Sequence, residues 1–147
     1  MSNISLSGPA PELKFQIGTP IAASAAGAVL GTGVDRLGAN FMVLEAETGA
    51  VTGAPTAQTL DAKVQHSDTQ GGTYTDFQPG GVAAAGAISQ ITTVSTRKRK
   101  TIDLRGAKRW VRVSTTTGFT GGTSPTLLNS VKIVFASFDT LPAQVDD

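Results

Sequence analysis

The chain contains no cysteine, which excludes disulfide cross-links and thiolate metal sites. It has one histidine, His66, so an all-protein zinc site is not expected either. Charge is scarce: Asp, Glu, Lys and Arg make up 16% of the chain, against about 25% in an average soluble domain. Aromatic residues are only 5%, few for a platform of rings. The small-apolar stretch at 20–34 is mostly Ala and Gly, and is too short to span a membrane. Gly, Thr, Ser and Ala take the place of the missing charge. That composition favours a sheet-rich protein with many tight turns. A low-charge surface also suits a protein that lives against other protein, because interface cores are depleted in charge.

The length, 147 residues, is that of one domain able to fold without cross-links. The start, Met-Ser-Asn-Ile-Ser-Leu, lacks a basic segment followed by an apolar one, so synthesis and assembly in a cytoplasm are expected.

Residues 60–77 carry the clearest local pattern. Leu60, Ala62 and Val64 alternate with Asp61, Lys63 and Gln65, the period of a half-buried strand. Ser67 to Gly72 supplies turn chemistry, and Thr73, Tyr74, Thr75 and Phe77 form a second β-prone run. This predicts a hairpin. A second hairpin is predicted over 101–114, turning at Arg105-Gly106-Ala107-Lys108. Leu13, Phe15 and Ile17 alternate with Lys14 and Gln16 as a short strand. Phe41 to Leu44 reads as a central strand, apolar on both faces. Ile102 and Leu104 face one way, Thr101 and Asp103 the other. Val111 and Val113 oppose Trp110 and Arg112, and Val131 to Ala136 is the strongest β run. Residues 20–34 fit either a thin strand passing close to another backbone or a loop. Pro79 to Gly86 reads as a loop, and Ala87 to Val94 fits either a strand or a short helix.

About eight or nine strands at this spacing, with no strand–helix alternation, predict an all-β fold, a β-sandwich or jelly roll. Pro9 and Pro11 forbid helix in 1–12, which reads as an extended N-terminal arm. The single sandwich domain is placed at 13–138, and 139–147 is a C-terminal tail.

Catalysis needs a cluster of titratable groups in matched roles. Any Ser-His-Asp triad would have to use His66, which lies in phase with Leu60, Ala62 and Val64 at a strand end. That is the place of a satisfied, structural histidine. Glu45 and Glu47 share one strand face, whereas glycosidases set two carboxylates across a cleft; a solvated edge is the plainer reading. Asp68 to Gly72 holds one acid, too few for calcium. None of the glycine-rich segments runs into a lysine–hydroxyl pair, so there is no P-loop. The expectation is a protein that is not an enzyme, with no catalytic residues, cofactor or metal.

Net charge is +1, yet eight of the twelve basic residues fall within 97–112, where Asp103 is the only acid. The run Arg97-Lys98-Arg99-Lys100 admits three readings. A solvated face or an edge guarded against aggregation comes first, docking onto an acidic protein surface second. Nucleic acid comes third, because the chain as a whole is barely basic. Trp110, the only tryptophan, stands beside Arg109 and Arg112. It reads as a core anchor, a cation–π partner or an interface residue, and its phase opposite Val111 and Val113 leans to the last.

Two stretches together resemble a known family. Leu60 to Phe77 ends Ser-Asp-Thr-Gln-Gly-Gly-Thr-Tyr-Thr-Asp-Phe. After an Ala/Gly loop come Thr101-Ile102-Asp103-Leu104-Arg105-Gly106-Ala107-Lys108-Arg109-Trp110-Val111-Arg112-Val113, then Gly122-Thr123-Ser124-Pro125. Over residues 36–138 this resembles the head decoration (cement) and minor capsid proteins of tailed bacteriophages. The resemblance implies a non-enzymatic virion protein assembled in the host bacterial cytoplasm. It implies a β-sandwich or jelly-roll body, often trimeric, that binds the major capsid protein on the outer capsid surface and stabilises the head. Candidate capsid contacts are Leu6, Pro9, Pro11 and Leu13 in the arm, Arg97, Lys98, Arg99 and Lys100 in the basic run, and Trp110. The run at 97–100 is not part of the resembling pattern. Two other assignments compete: a tail-tube or head–tail connector component, and a carbohydrate-binding sandwich relying on Tyr74, Phe77 and Trp110.

Overall fold

Alternating burial writes two-faced strands along most of the chain. Met42, Leu44 and Ala46 are buried, and Phe41, Val43, Glu45 and Glu47 face the other way; Leu60, Ala62 and Val64 repeat the pattern. The structure, a computed structural model, describes residues 14–36 and 38–138. Within them lie nine strands: β1 (Lys14–Ser24), β2 (Gly27–Leu30), β3 (Val34–Asp35), β4 (Ala39–Thr52), β5 (Ala57–Ser67), β6 (Thr75–Asp76), β7 (Arg97–Asp103), β8 (Trp110–Thr120) and β9 (Thr126–Phe138). They form a β-sandwich. One sheet has the order β1-β9-β4-β7, the other β2-β8-β5-β6, with β3 beside β8 further along the edge that β2 occupies. Every strand pairing is antiparallel.

The registers show that the two sheets are halves of one four-ply ribbon folded across its middle. β1 continues as β2, β4 as β5, and β8 as β9, each passing from one sheet to the other. The fourth ply is β7 with the segment 75–91. That segment runs along β5, with Phe77 N–H on the Val64 carbonyl at 2.9 Å and Ile88 N–H on the Ala62 carbonyl at 2.9 Å. Leu60 and Ile91 exchange both backbone bonds, at 2.8 and 2.9 Å. The four crossings, at 25–26, 53–56, 92–96 and 121–125, gather at one end of the sandwich. At the other end the chain returns between sheets from β3 to β4 and from β7 to β8.

The core lies between the halves. Phe135, Ile133, Met42, Leu44 and Ile102 come from the first sheet, Leu60, Val64, Val111 and Val113 from the second. Burying a side chain of this size contributes about 1.5–3 kcal/mol.

The stretch at 20–34 proves to be thin strand, the end of β1 followed by β2 and β3, passing close to other backbone. A Cβ on Gly31 would stand 2.1 Å from the Gly18 carbonyl oxygen, so glycine there lets β1 and the β2–β3 edge touch. Ala87 to Val94 is neither regular strand nor helix; it is extended chain with single bridges to β5 at Leu60 and Lys63. The loop at 79–86 holds two short 3-10 turns.

The predicted hairpin over 101–114 does not form. β7 and β8 lie in opposite sheets, and the turn between them crosses the sandwich. Leu104 and Ala107 are buried in that crossing, Leu104 N–H bonding the Asn40 carbonyl at 2.7 Å. Each strand has one apolar stripe, and facing the other across the core buries both. The hairpin at 60–77 does form, with a short second arm: β6 meets β5 only at Gln65–Asp76 and His66–Thr75.

The fold line allows no side chain at two points. Gly53 (φ 75°) and Gly122 (φ 85°) lie in adjacent crossings, and a Cβ on Gly122 would sit 2.6 Å from the Gly53 oxygen. Gly121 (φ 68°) has the same backbone requirement, but its nearest neighbour would be 3.4 Å away. Gly121→Ala is therefore expected to cost about 1–2 kcal/mol from conformation alone. Gly122→Ala should cost clearly more. Paired urea denaturations check this; equal losses would show that the close approach carries no energy.

Candidate interaction surface

The basic block splits by strand phase. On β7, Lys98 and Lys100 share the side of buried Ile102, while Arg97 and Arg99 are exposed on the outer face. The Lys98 ammonium donates to the Gln90 carbonyl at 2.8 Å and to Ser89 Oγ at 3.1 Å. The Lys100 ammonium donates to the carbonyls of Ala84 and Ala87, the latter at 2.9 Å. These lysines tie β7 to the 84–90 segment of the opposite half. A shallow groove of about 330 Å³ remains along the seam, lined by Ile88, Ser89, Lys98, Arg99 and Lys100.

The outer face of the first sheet is built in rows. Lys132, Glu45 and Arg99 stand abreast on β9, β4 and β7, and Ser130, Glu47 and Arg97 form the next row. Glu45 and Glu47 thus share one face as predicted, on a central strand rather than an edge. Among the described residues no ion pair within 4 Å involves Arg97 or Arg99. Towards the fold line this face ends in exposed Ile21 (72%) and Leu128 (39%), which rim a hollow with Gly49 and Glu47. At the other end the Arg105 guanidinium lies 5.6 Å from the Phe41 ring centre and grips Asp103 through both carboxylate oxygens. That grip holds the Asp103 carboxyl at about 2.

Lys108, Arg109 and Arg112, the rest of the basic block, have partners on the second sheet and its end. Lys108 pairs with Asp68 at 2.6 Å, and Arg109 with Asp35 at 2.8 Å. Ion pairs at the surface add little stability; their effect here is to neutralise. Arg109 also lies 5.6 Å from the Trp110 ring centre, and Trp110 is half-buried on the outer face opposite Asp35 and Ser67. The interface-or-second-face phase read for Trp110 thus places it outside the core. Arg112 stacks on Tyr74 at 4.2 Å and donates to Gln65 at 2.9 Å. Burial raises the pKa of the Tyr74 hydroxyl, against the opposing pull of Arg112. Phe77 is core, so Tyr74, Phe77 and Trp110 do not form one exposed platform.

His66 ends β5 as a half-buried structural residue. Its Nδ1 accepts the Lys108 backbone N–H at 3.3 Å, and its ring lies 5.1 Å from Phe77. Burial lowers its pKa, Lys108 lowers it further, and Asp68 opposes both. Among the described residues no group of three or more His, Cys, Asp or Glu side chains is placed to hold a metal. Among the described residues no helix is long and apolar enough to cross a membrane. Leu6, Pro9, Pro11 and Leu13, with the rest of the arm and the tail, lie outside the described residues. In sequence 97–100 is a single basic run. The period of 2 counted back from Ile102 is the signal that separates its lysines from its arginines. Ile21 and Leu128 carry no local sequence signal, because their exposure follows from the tertiary fold.

No family model matches the chain, and no curated protein matches it. Solved structures that match the chain include three of low identity. The SPBc2 prophage-derived protein YomS is 14% identical, with 90% of this chain and 99% of that one covered and a TM-score of 0.42. A chain from a structure of Bacillus endospore appendages, described as disulfide-linked pili, is 11% identical over 94% and 100%, with a TM-score of 0.41. A turnip yellow mosaic virus chain is 8% identical over 99% and 91%, with a TM-score of 0.35.

The lowered pKa of His66 has a definite sign. Its neutral form is favoured by folding, so its contribution to stability is full above the ordinary value of 6.5 and is lost as pH falls through the folded pKa. An NMR titration of the single imidazole should give a midpoint below 6.5. His66→Asn should flatten the fall in melting temperature between about pH 7 and 5. A midpoint at or above the ordinary value would contradict the burial assignment.

Proposed function

We propose that the chain is a non-enzymatic structural protein of a phage virion, a decoration (cement) protein that binds the outer capsid surface and stabilises the head. Its partner in this reading is the major capsid protein, and it acts as a homo-oligomer, with a trimer favoured. The resemblance across residues 36–138 supports this, and so does the sandwich fold. The observation that carries the reading is the outer face of the first sheet. It combines a β-sheet surface, Arg97 and Arg99, which make no ion pair among the described residues, and the exposed apolar rim of Ile21 and Leu128. Charge of this kind sets register and encounter rate on a protein partner, and exposed apolar area supplies affinity. Several copies joined in one oligomer turn weak contacts into strong retention.

Co-sedimentation of the purified protein with expanded heads of the encoding virus should show saturable binding, near one oligomer per local symmetry axis. Bound heads should withstand higher temperature, since a ligand of the assembled state alone stabilises that state. Deleting 1–12 should abolish binding and leave the body folded. Failure to bind heads would overturn the decoration reading, and rings or tubes formed by the protein alone would favour a tail-tube or connector role.

A further inference from the structure

β7 is the outermost strand of its sheet, and its backbone phase can be read from its two ends. Thr48 N–H bonds the Thr96 carbonyl at 2.9 Å, Leu104 N–H bonds the Asn40 carbonyl at 2.7 Å, and the register between them is unbroken. In an antiparallel ladder, bonding to a given neighbour alternates along the strand. Lys98, Lys100 and Ile102 therefore turn their backbone groups to β4, and Arg97, Arg99 and Thr101 turn theirs to the free side. Among the described residues no backbone hydrogen bond reaches those three. In the second sheet segment 75–91 covers β5, and at the opposite margin β1 approaches the β2–β3 edge at Gly18 and Gly31.

The charge pattern says what strand fits the open edge. The row Lys132–Glu45–Arg99 reads plus, minus, plus across the sheet, and Glu47–Arg97 reads minus, plus. Directly opposed unlike charges stabilise a strand pair and like charges oppose it. The next position outward from both Arg99 and Arg97 calls for a carboxylate. Those two residues lie two apart on one face, so the matching strand carries acids at alternate positions. On the inner side the groove presents Ile88 with Lys98 and Lys100, whose ammoniums are held by neutral carbonyl and hydroxyl oxygens and keep their charge uncompensated.

We propose that β7 is an acceptor edge for an extended acidic segment of a partner protein, which adds to the first sheet as a fifth strand. Main-chain bonds to Arg97, Arg99 and Thr101 supply the affinity, and the two arginines select carboxylates at alternate positions. The same cations repel basic strands and guard the edge against indiscriminate pairing. The inference does not depend on the capsid reading, because it names a strand chemistry whatever body carries that strand.

The test is an NMR titration of the full chain with a synthetic heptapeptide, Thr-Val-Glu-Val-Glu-Val-Thr, against the same peptide with both Glu replaced by Gln. The acidic peptide should shift the amides of Arg97, Arg99 and Thr101 and slow their hydrogen exchange. Its binding should weaken as salt rises, and the Gln peptide should bind at least tenfold less well. The double variant Arg97→Glu, Arg99→Glu should reverse that preference. Thr101→Pro removes one outward N–H and leaves the β4 ladder intact, so it should weaken binding without lowering the melting temperature much. No shift at millimolar peptide, equal binding of both peptides, or shifts without exchange protection would each overturn the proposal. Failure of capsid binding would leave it standing.

Discussion

Four plies cross from one sheet to the other within one small volume, and that crowding governs the composition of the whole chain. A sheet folded across its middle must interrupt its ladders at the fold line, and every interrupted backbone group still needs a partner. Threonine hydroxyls supply some and add further bonds across the line. Thr48 donates to the Thr93 carbonyl at 2.9 Å, and Thr56 donates to the Thr120 carbonyl at 2.8 Å. Thr52 and Thr126 bond each other at 2.8 Å across the β4–β9 pair, beside the bend. Threonine serves twice, because its branched Cβ also suits a strand. Glycine takes the places where no side chain fits. The excess of Thr and Gly and the scarcity of charge are thus the signature of the fold line as much as of the surface.

The ends of the molecule then divide the work. The fold line fixes how far apart the halves lie, and hence a core filled by residues such as Phe135, Met42 and Ile133. The opposite end carries the crossings from β3 to β4 and from β7 to β8, plugged by Leu104 and Ala107. Four basic residues at that second crossing have counterparts: Asp103 for Arg105, Asp68 for Lys108, Asp35 for Arg109 and Tyr74 for Arg112. Among the described residues the cations Arg97 to Lys100 of β7 make no ion pair, and the outer backbone groups of that strand make no backbone hydrogen bond. The coincidence of free charge and free edge gives this otherwise quiet surface a direction, because a partner of the right shape and charge gains at both.

Much of this was legible residue by residue. Alternation in 60–65, in 101–104 and in 110–113 gave the strands and their buried sides, because side-chain direction along a strand is a local property of the backbone. The phase of His66 and of Trp110 followed from the same count. The hairpin read at 101–114 failed for an instructive reason. Arg105-Gly106-Ala107-Lys108 has turn chemistry whether the strands it joins lie in one sheet or in two, and the choice rests on β4 and β5, far away in sequence. The uncertainty at 20–34 had the same origin: Gly18 and Gly31 allow a close approach, but only the folded chain shows what approaches.

The amino-acid order by itself therefore determined the all-β class, the two faces of each strand, and the absence of cross-links. Those depend on period, propensity and residue type, which act over a few residues. Only the tertiary structure decided that the strands form one ribbon folded on itself and that lysines and arginines of the same run part to opposite sides of β7. It alone decided which charges are matched and which edge is left open. Those outcomes depend on which distant segments become neighbours, and that is settled by the joint burial of apolar stripes across the sandwich.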